Sequence, residues 1–327
     1  MKFLKRRSPN PTRLLLMFVL GSGAAGLAEN PYPVIVSDRW GYTDRKGTLT
    51  VNPQFERAEG FSEDLAAVRV NKRWGYIDAT GKLVVNPQFD AADPFHDGLA
   101  AVKLGGRYGY INRDGKYVIN PQFDSAGRFS EGRAVVKLKR RYGYIDRSGN
   151  PAINPQFDGA GDFAAGLAVV ELDDRYGFIN GAGKFVINPQ FDRAEAFSDG
   201  LAAIKLNRRW GFINPSGEMV IQPQFEAVGA FSKNLAPARL NGLWGYVDPT
   251  GRFVINPQFD DALPFGKDLA AVKFSRRWGF INREGKYTIN PQFDEAESFV
   301  DGVARVKLGR KTGYVNTAGQ YLWNPTN

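Results

Sequence analysis

The sequence predicts an all-β protein made of tandem 34-residue repeats, and three observations carry that prediction. An aromatic-Gly pair recurs at Trp40-Gly41, Trp74-Gly75, Tyr108-Gly109, Tyr142-Gly143, Tyr176-Gly177, Trp210-Gly211, Trp244-Gly245 and Trp278-Gly279, with Thr312-Gly313 a degenerate ninth. Each unit holds several glycines, a proline and many β-branched or aromatic residues, with no apolar 3.6-residue stripe long enough for paired helices. Each also contains three strand-like runs separated by turn chemistry. The 34-residue step is also the tetratricopeptide length, and this composition excludes that helical option.

The repeats do not start at residue 1. Met1 to Arg13 is basic, Leu14 to Leu20 is apolar, and small residues run from Gly21 to Ala28. That is the pattern of a secretory signal peptide, expected over 1–28 with cleavage after Ala28. The alternative is an uncleaved anchor, but a spanning helix needs about 20 apolar residues, and this stretch is shorter and interrupted by two glycines and a serine. Arg6-Arg7 lacks the apolar continuation of a twin-arginine signal. A short lead, 29–33, precedes the array, which is expected to fill 34–327.

The unit beginning at Leu99 shows how each element is justified. Leu99 to Leu104 reads as a strand, Gly105-Gly106 as a tight turn, Tyr108 to Ile111 as a second strand and Lys116 to Ile119 as a third. Asn112-Arg113-Asp114-Gly115 joins the last two, and all nine copies keep Asp or Asn first and Gly fourth, as a type I turn prefers. The unit is therefore expected to be a three-stranded meander. After Asn120-Pro121 the connector carries Phe123 and Phe129, spaced six apart in all eight connectors. Three residues beyond the second Phe stands Gly, Asn or Asp, which suits a left-handed turn. The phenylalanines are expected to join neighbouring units, because one such unit cannot bury its apolar face alone. Propeller blades usually run to about 40–50 residues. The short period therefore favours an open twisted β-array over a closed propeller-like ring.

The core Trp/Tyr-Gly-Tyr/Phe-Ile-Asp/Asn-x-x-Gly-Lys, followed by Val-Ile-Asn-Pro-Gln-Phe-Asp and Phe-x-x-Gly-Leu-Ala, resembles the bacterial WG-repeat (KWG) family over almost the whole chain after the leader. The resemblance implies an all-β repeat protein, often exported or at the bacterial surface, with an interaction role and no catalytic residues to carry over. Tyr in place of Trp in three units, Thr312 in the last and Gln222 before Pro223 depart from the pattern.

Composition narrows the chemistry. The chain has 43 Lys+Arg against 34 Asp+Glu, one His and no Cys, so disulfides, thiolate nucleophiles and zinc–cysteine sites are excluded. Lys2, Lys5, Arg6, Arg7 and Arg13 supply five of the nine excess charges, and the remaining +4 does not imply nucleic acid. His96, Pro237, Leu243, Glu218-Met219 and Thr312 break the period but are scattered, so no unique catalytic constellation is expected. No metal or cofactor site is expected either: the Asp-x-x-Gly turns lack calcium-loop spacing, and His96 with Asp93 and Asp97 reads as a solvated loop.

Two stripes remain as candidates. Arg39, Arg73, Arg107, Arg141, Arg175, Arg209, Arg277 and Lys311 precede the aromatic in each unit, with Leu243 the exception, and the turns add Lys72, Arg140, Arg208, Arg276 and Arg310. An acid follows the first connector Phe in all eight copies. The basic stripe either binds an anionic polymer or acidic surface, or pairs with these acids. The signature aromatics Trp40, Trp74, Tyr108, Tyr142, Tyr176, Trp210, Trp244 and Trp278 either form a stacking platform or belong to the packed core, and the core reading is preferred. The expected protein is an exported, non-enzymatic scaffold binding a protein partner in the periplasm or at the cell surface. The alternative is binding of an anionic envelope glycan or peptidoglycan. Neither nucleic acid nor a transmembrane segment after cleavage is expected.

Overall fold

The computed structural model describes residues 30–326; the expected leader, 1–28, lies outside them. All regular elements among the described residues are strands, gathered into nine antiparallel sheets. The second sheet shows the plan. Its strands are Arg57–Ala58, Ala66–Val70, Arg73–Ile77 and Leu83–Phe89, hydrogen-bonded in chain order from inside to outside. The blade is thus four-stranded, not the three-stranded meander expected. Its inner strand is two residues of what reads as connector, too short to leave a periodic signal. Among the described residues the first sheet has three strands, Tyr32–Val36, Arg39–Thr43 and Leu49–Phe55.

The outer strand is also longer than expected, running through Asn86-Pro87 to Phe89. It forms the free edge of the blade, where the missing N–H of proline disrupts no ladder and blocks edge-to-edge pairing. A bulge accompanies the proline: Trp74 pairs with Phe89 and Tyr76 with Val85, so two residues of one strand face four of the other. The bulged backbone presses onto Gly75. A Cβ there would lie 2.4 Å from the Val85 carbonyl oxygen and 2.7 Å from the Pro87 nitrogen, and the same contact recurs in every blade. This is why the aromatic is always followed by glycine.

Between blades, apolar residues form nine buried clusters. Tyr76, fully buried, meets Phe95 of the next connector edge-on at 4.8 Å between ring centroids. Its hydroxyl donates to the Asp93 carbonyl at 2.7 Å. Similar ring pairs recur at Tyr42–Phe61, Tyr110–Phe129 and Tyr144–Phe163.

The sheets close into a nine-bladed ring, which corrects the expected open array. Val34 of the first blade packs with Val303 and Tyr314 of the last, joined by Tyr32, Leu322 and Trp323. Tyr314 donates its hydroxyl to the Pro33 carbonyl at 2.7 Å, so across the seam the acceptor is a strand residue of the first blade, where Tyr76 uses a connector carbonyl. Closure covers two apolar end faces that an open stack would leave to water or to capping units. The fourth strand explains why a 34-residue unit suffices: its inner residues are borrowed from the connector.

Candidate interaction surfaces

The blade plan gives the ring two unlike faces. One carries the tight hairpins between second and third strands, together with the link from each outer strand to the next inner strand. The other carries the Asp-x-x-Gly turns and the loops from inner to second strands.

The Arg stripe lies on the hairpin face, and most of it is already paired. Arg141 reaches Asp158 at 2.5 Å and Arg277 reaches Asp294 at 2.6 Å; Arg73 pairs with Asp90, Arg107 with Asp124 and Arg175 with Asp192. Arg209 stands 4.0 Å from Glu226. Several of the same carboxylates accept a backbone N–H from a hairpin: Asp90 from Gly105 at 3.0 Å, Asp124 from Lys139 at 3.0 Å and Glu226 from Gly242 at 3.1 Å. Each such acid ties a hairpin to the end of an outer strand. Arg39 and Lys311 hold the equivalent positions in the first and last blades, and Leu243 the one apolar version.

The hairpin tips behave differently. Lys72, Arg140, Arg208 and Arg276 sit at φ of 63°, 73°, 67° and 68°, with Lys139 at 49°. These are type I′ turns, where Gly or Asn costs least, and Gly106 and Gly242 occupy the same position in two other blades. Holding a Lys or Arg there costs about 1 kcal/mol. All five side chains are exposed and lie outside the ion pairs described above. Counted over the whole ring, bases outnumber acids on the hairpin face, whereas acids outnumber bases on the opposite face. The net positive charge of the described chain therefore resides on one side.

The aromatic stripe is split by depth. The second ring of each motif is buried, as at Tyr76, Tyr110 and Tyr246. The first ring is half-buried in Trp40, Trp74, Tyr108, Tyr142, Tyr176, Trp210 and Trp244, and buried in Trp278. Lysines of the neighbouring strand lie over three of these first rings, Lys103 over Tyr108 at 5.3 Å, Lys137 over Tyr142 at 4.8 Å and Lys205 over Trp210 at 5.8 Å. Tyr176 instead donates to Glu171 at 3.0 Å; burial, then that carboxylate, pushes its hydroxyl up to about 12.

A third feature, missed in the sequence, lies just past the inner strands. Directly after the inner strands come Glu59, Asp93 and Glu195, residues open to solvent whose carboxyls are nonetheless enclosed by the surrounding chain. That enclosure raises all three carboxyls. Asp93 rises to about 6, with Glu59 adding repulsion, while Arg305 and then Arg57 partly offset the effect at Glu59. Arg305 belongs to the ninth blade and Glu59 to the second, so the coupling crosses the seam. The signal was an acid at one position of four repeats, Glu59, Asp93, Glu195 and Glu297, where the other connectors carry Gly127, Gly161, Gly229 or Leu263. His96 is half-buried in its loop, and burial followed by Arg128 lowers its pKa. Among the described residues no group of three or more His, Cys, Asp or Glu could hold a metal ion.

Fold and surfaces together define a closed nine-bladed β-propeller of tandem repeats. The WG containing repeat model matches eight successive spans between residues 40 and 311, and the chain belongs to that family. Among solved structures, one of a eukaryotic initiation factor is similar at 10% identity and a TM-score of 0.66, covering 92% of this chain and 97% of that one. The dihydro-heme d1 dehydrogenase NirN is similar at 12% identity and a TM-score of 0.51, covering 84% and 76%. These likenesses concern the fold alone. No curated protein matches the sequence at a significant level.

Proposed function

We propose that this protein is an exported, non-enzymatic scaffold of the bacterial cell envelope that docks an acidic protein surface on its hairpin face. One observation carries the reading: free cations stand at hairpin tips where backbone geometry disfavours them, on the face that holds the excess positive charge. A residue kept at a local cost of about 1 kcal/mol needs a compensating role, and among the described residues none of these side chains is held in the ion pairs of the hairpin face. Repetition multiplies the effect, because several weak charged contacts engaged together give avidity. Export rests on the basic and apolar leader. Sugar stacking receives less support, since the second ring of each motif is buried and lysines cover several of the first.

The test uses glycine, which two sister hairpins already accept. Replacing Lys72, Arg140, Arg208 and Arg276 by Gly should leave the ring folded and slightly more stable. A protein captured from envelope extract should then elute at clearly lower salt than from wild type. Unchanged elution would remove the hairpin face from the docking role. Recovery of an anionic polysaccharide in place of a protein would replace the reading with the glycan alternative.

A further inference from the structure

One junction between blades differs from all the others. The outer strand opens with Leu, Met, Tyr or Phe in every blade except the fourth, where it opens with Pro151 followed by Ala152. At five junctions that opening residue is a ring set edge-on against the Phe closing the preceding outer strand. Tyr117 meets Phe89 at 6.2 Å between centroids, Phe185 meets Phe157 at 6.2 Å, and Phe253 meets Phe225 at 5.9 Å. Tyr287 and Tyr321 do the same to Phe259 and Phe293. Phe123 has no such cover. In its place is a cavity of about 160 Å³ walled by Phe123, Val136, Leu138, Tyr144, Ile153 and Pro155. An apolar cavity of about 150 Å³ accepts a benzene ring.

We propose that this notch is a docking pocket for one aromatic side chain of a partner protein. The occupant is read from the molecule itself, because the sister junctions show which group this environment takes and in what orientation. Charge narrows the choice further. Leu138, in the wall of the notch, immediately precedes the Lys139-Arg140 tip, which carries two adjacent free cations. The matching segment is an aromatic residue flanked by acids. A buried ring in a fitted pocket beside a charged rim is the usual anatomy of an interface anchor. The inference rests on the scaffold reading and supplies its anchor point.

Pro151→Tyr rebuilds the sister arrangement and fills the notch, whereas Pro151→Ala keeps it open. We would titrate p-cresol into wild type and both variants and follow the Val136 and Ile153 methyl resonances. Wild type and P151A should bind with millimolar affinity and P151Y at least about tenfold more weakly, as expected for a fragment of this size. P151Y should also unfold at a higher temperature, and should lose the envelope protein that wild type and P151A capture. Absence of cresol shifts in wild type, or equal shifts in P151Y, would overturn the proposal. Capture retained by P151Y would also overturn it while leaving the scaffold reading standing. Capture by none of the three forms would sink the scaffold reading, and the docking role with it. A wild-type dimer that P151Y converts to monomer would assign the notch to a second copy of this chain, against the proposal.

Discussion

At the scale of single residues, glycine after the aromatic is the most constrained position in the unit. Its role is steric, because the neighbouring outer strand bulges onto it at the Asn-Pro step. Gly75→Ala places a Cβ 2.4 Å from a backbone oxygen and should cost about 2–4 kcal/mol, read as a lowered denaturant midpoint. Gly105→Ala is the control. Nothing lies within 4 Å of its Cβ, so only its φ of 59° penalises the change, by about 1 kcal/mol. Equal effects at the two sites would contradict this account of the WG motif. The charged residues follow similar local logic. Exposed pairs such as Arg107 with Asp124 are worth less than about 1 kcal/mol each, and Leu243 shows that a blade folds without its arginine.

At the scale of elements, the two-residue inner strands matter beyond their length. With the six-residue versions Ser125–Ser130 and Gly159–Ala164 they turn eight meanders into four-stranded blades, and they place the next residue between neighbouring blades. At Asp93 the carboxyl titrates near 6, above its ordinary 3.8, because enclosure between blades disfavours the anion and Glu59 repels it. Between those two values the folded chain holds a proton that the unfolded chain has lost, so this group makes stability fall as pH rises through 6. Asp93→Asn should therefore raise the melting temperature at pH 7 and leave it nearly unchanged at pH 4. The gain is on the order of 1 kcal/mol after allowing for solvent screening at this exposed residue. A variant equally stabilised at both values would show that charge is not the cause.

For the whole molecule, the seam is the junction that no covalent connector ties. Eight junctions are tied by a covalent connector whose residues supply the inner strand of the following blade. The ninth depends on packing of Val34, Val303 and Tyr314 and on the Tyr314–Pro33 hydrogen bond. Local opening follows the least-secured contacts. Amide exchange should consequently be fastest in Tyr32–Val36 and Val303–Leu308, and slowest in the central blades. Tyr314→Phe should speed exchange in both end blades together. Uniform exchange around the ring would mean that the seam is as secure as any other junction. The unequal faces also belong to this scale, since only closure gathers the hairpin tips around one axis.

Much of this protein was legible in its sequence because a repeat states its rules nine times. The period, the three longer strands, the Asp-x-x-Gly turns and the family resemblance follow from local chemistry, where side-chain alternation and turn preference act within a few residues. The positions after the second Phe also read correctly as left-handed turns at Asp64 and Asn234, with φ of 66° and 62°. Other features depend on residues far apart in the chain. The two-residue inner strand exists only because a neighbouring strand offers it a ladder. Closure depends on the summed twist of nine blades, which no single unit encodes visibly. The sequence left the Arg stripe open between a binding surface and pairing with the connector acids, and folding set those acids beside it, leaving the cations one or two residues earlier at the hairpin tips. The absent ring at Pro151 becomes a pocket only when Phe123 of the preceding blade faces it. Composition and turn chemistry determined the unit; the packing of one unit against the next decided the ring, its charged face and its notch.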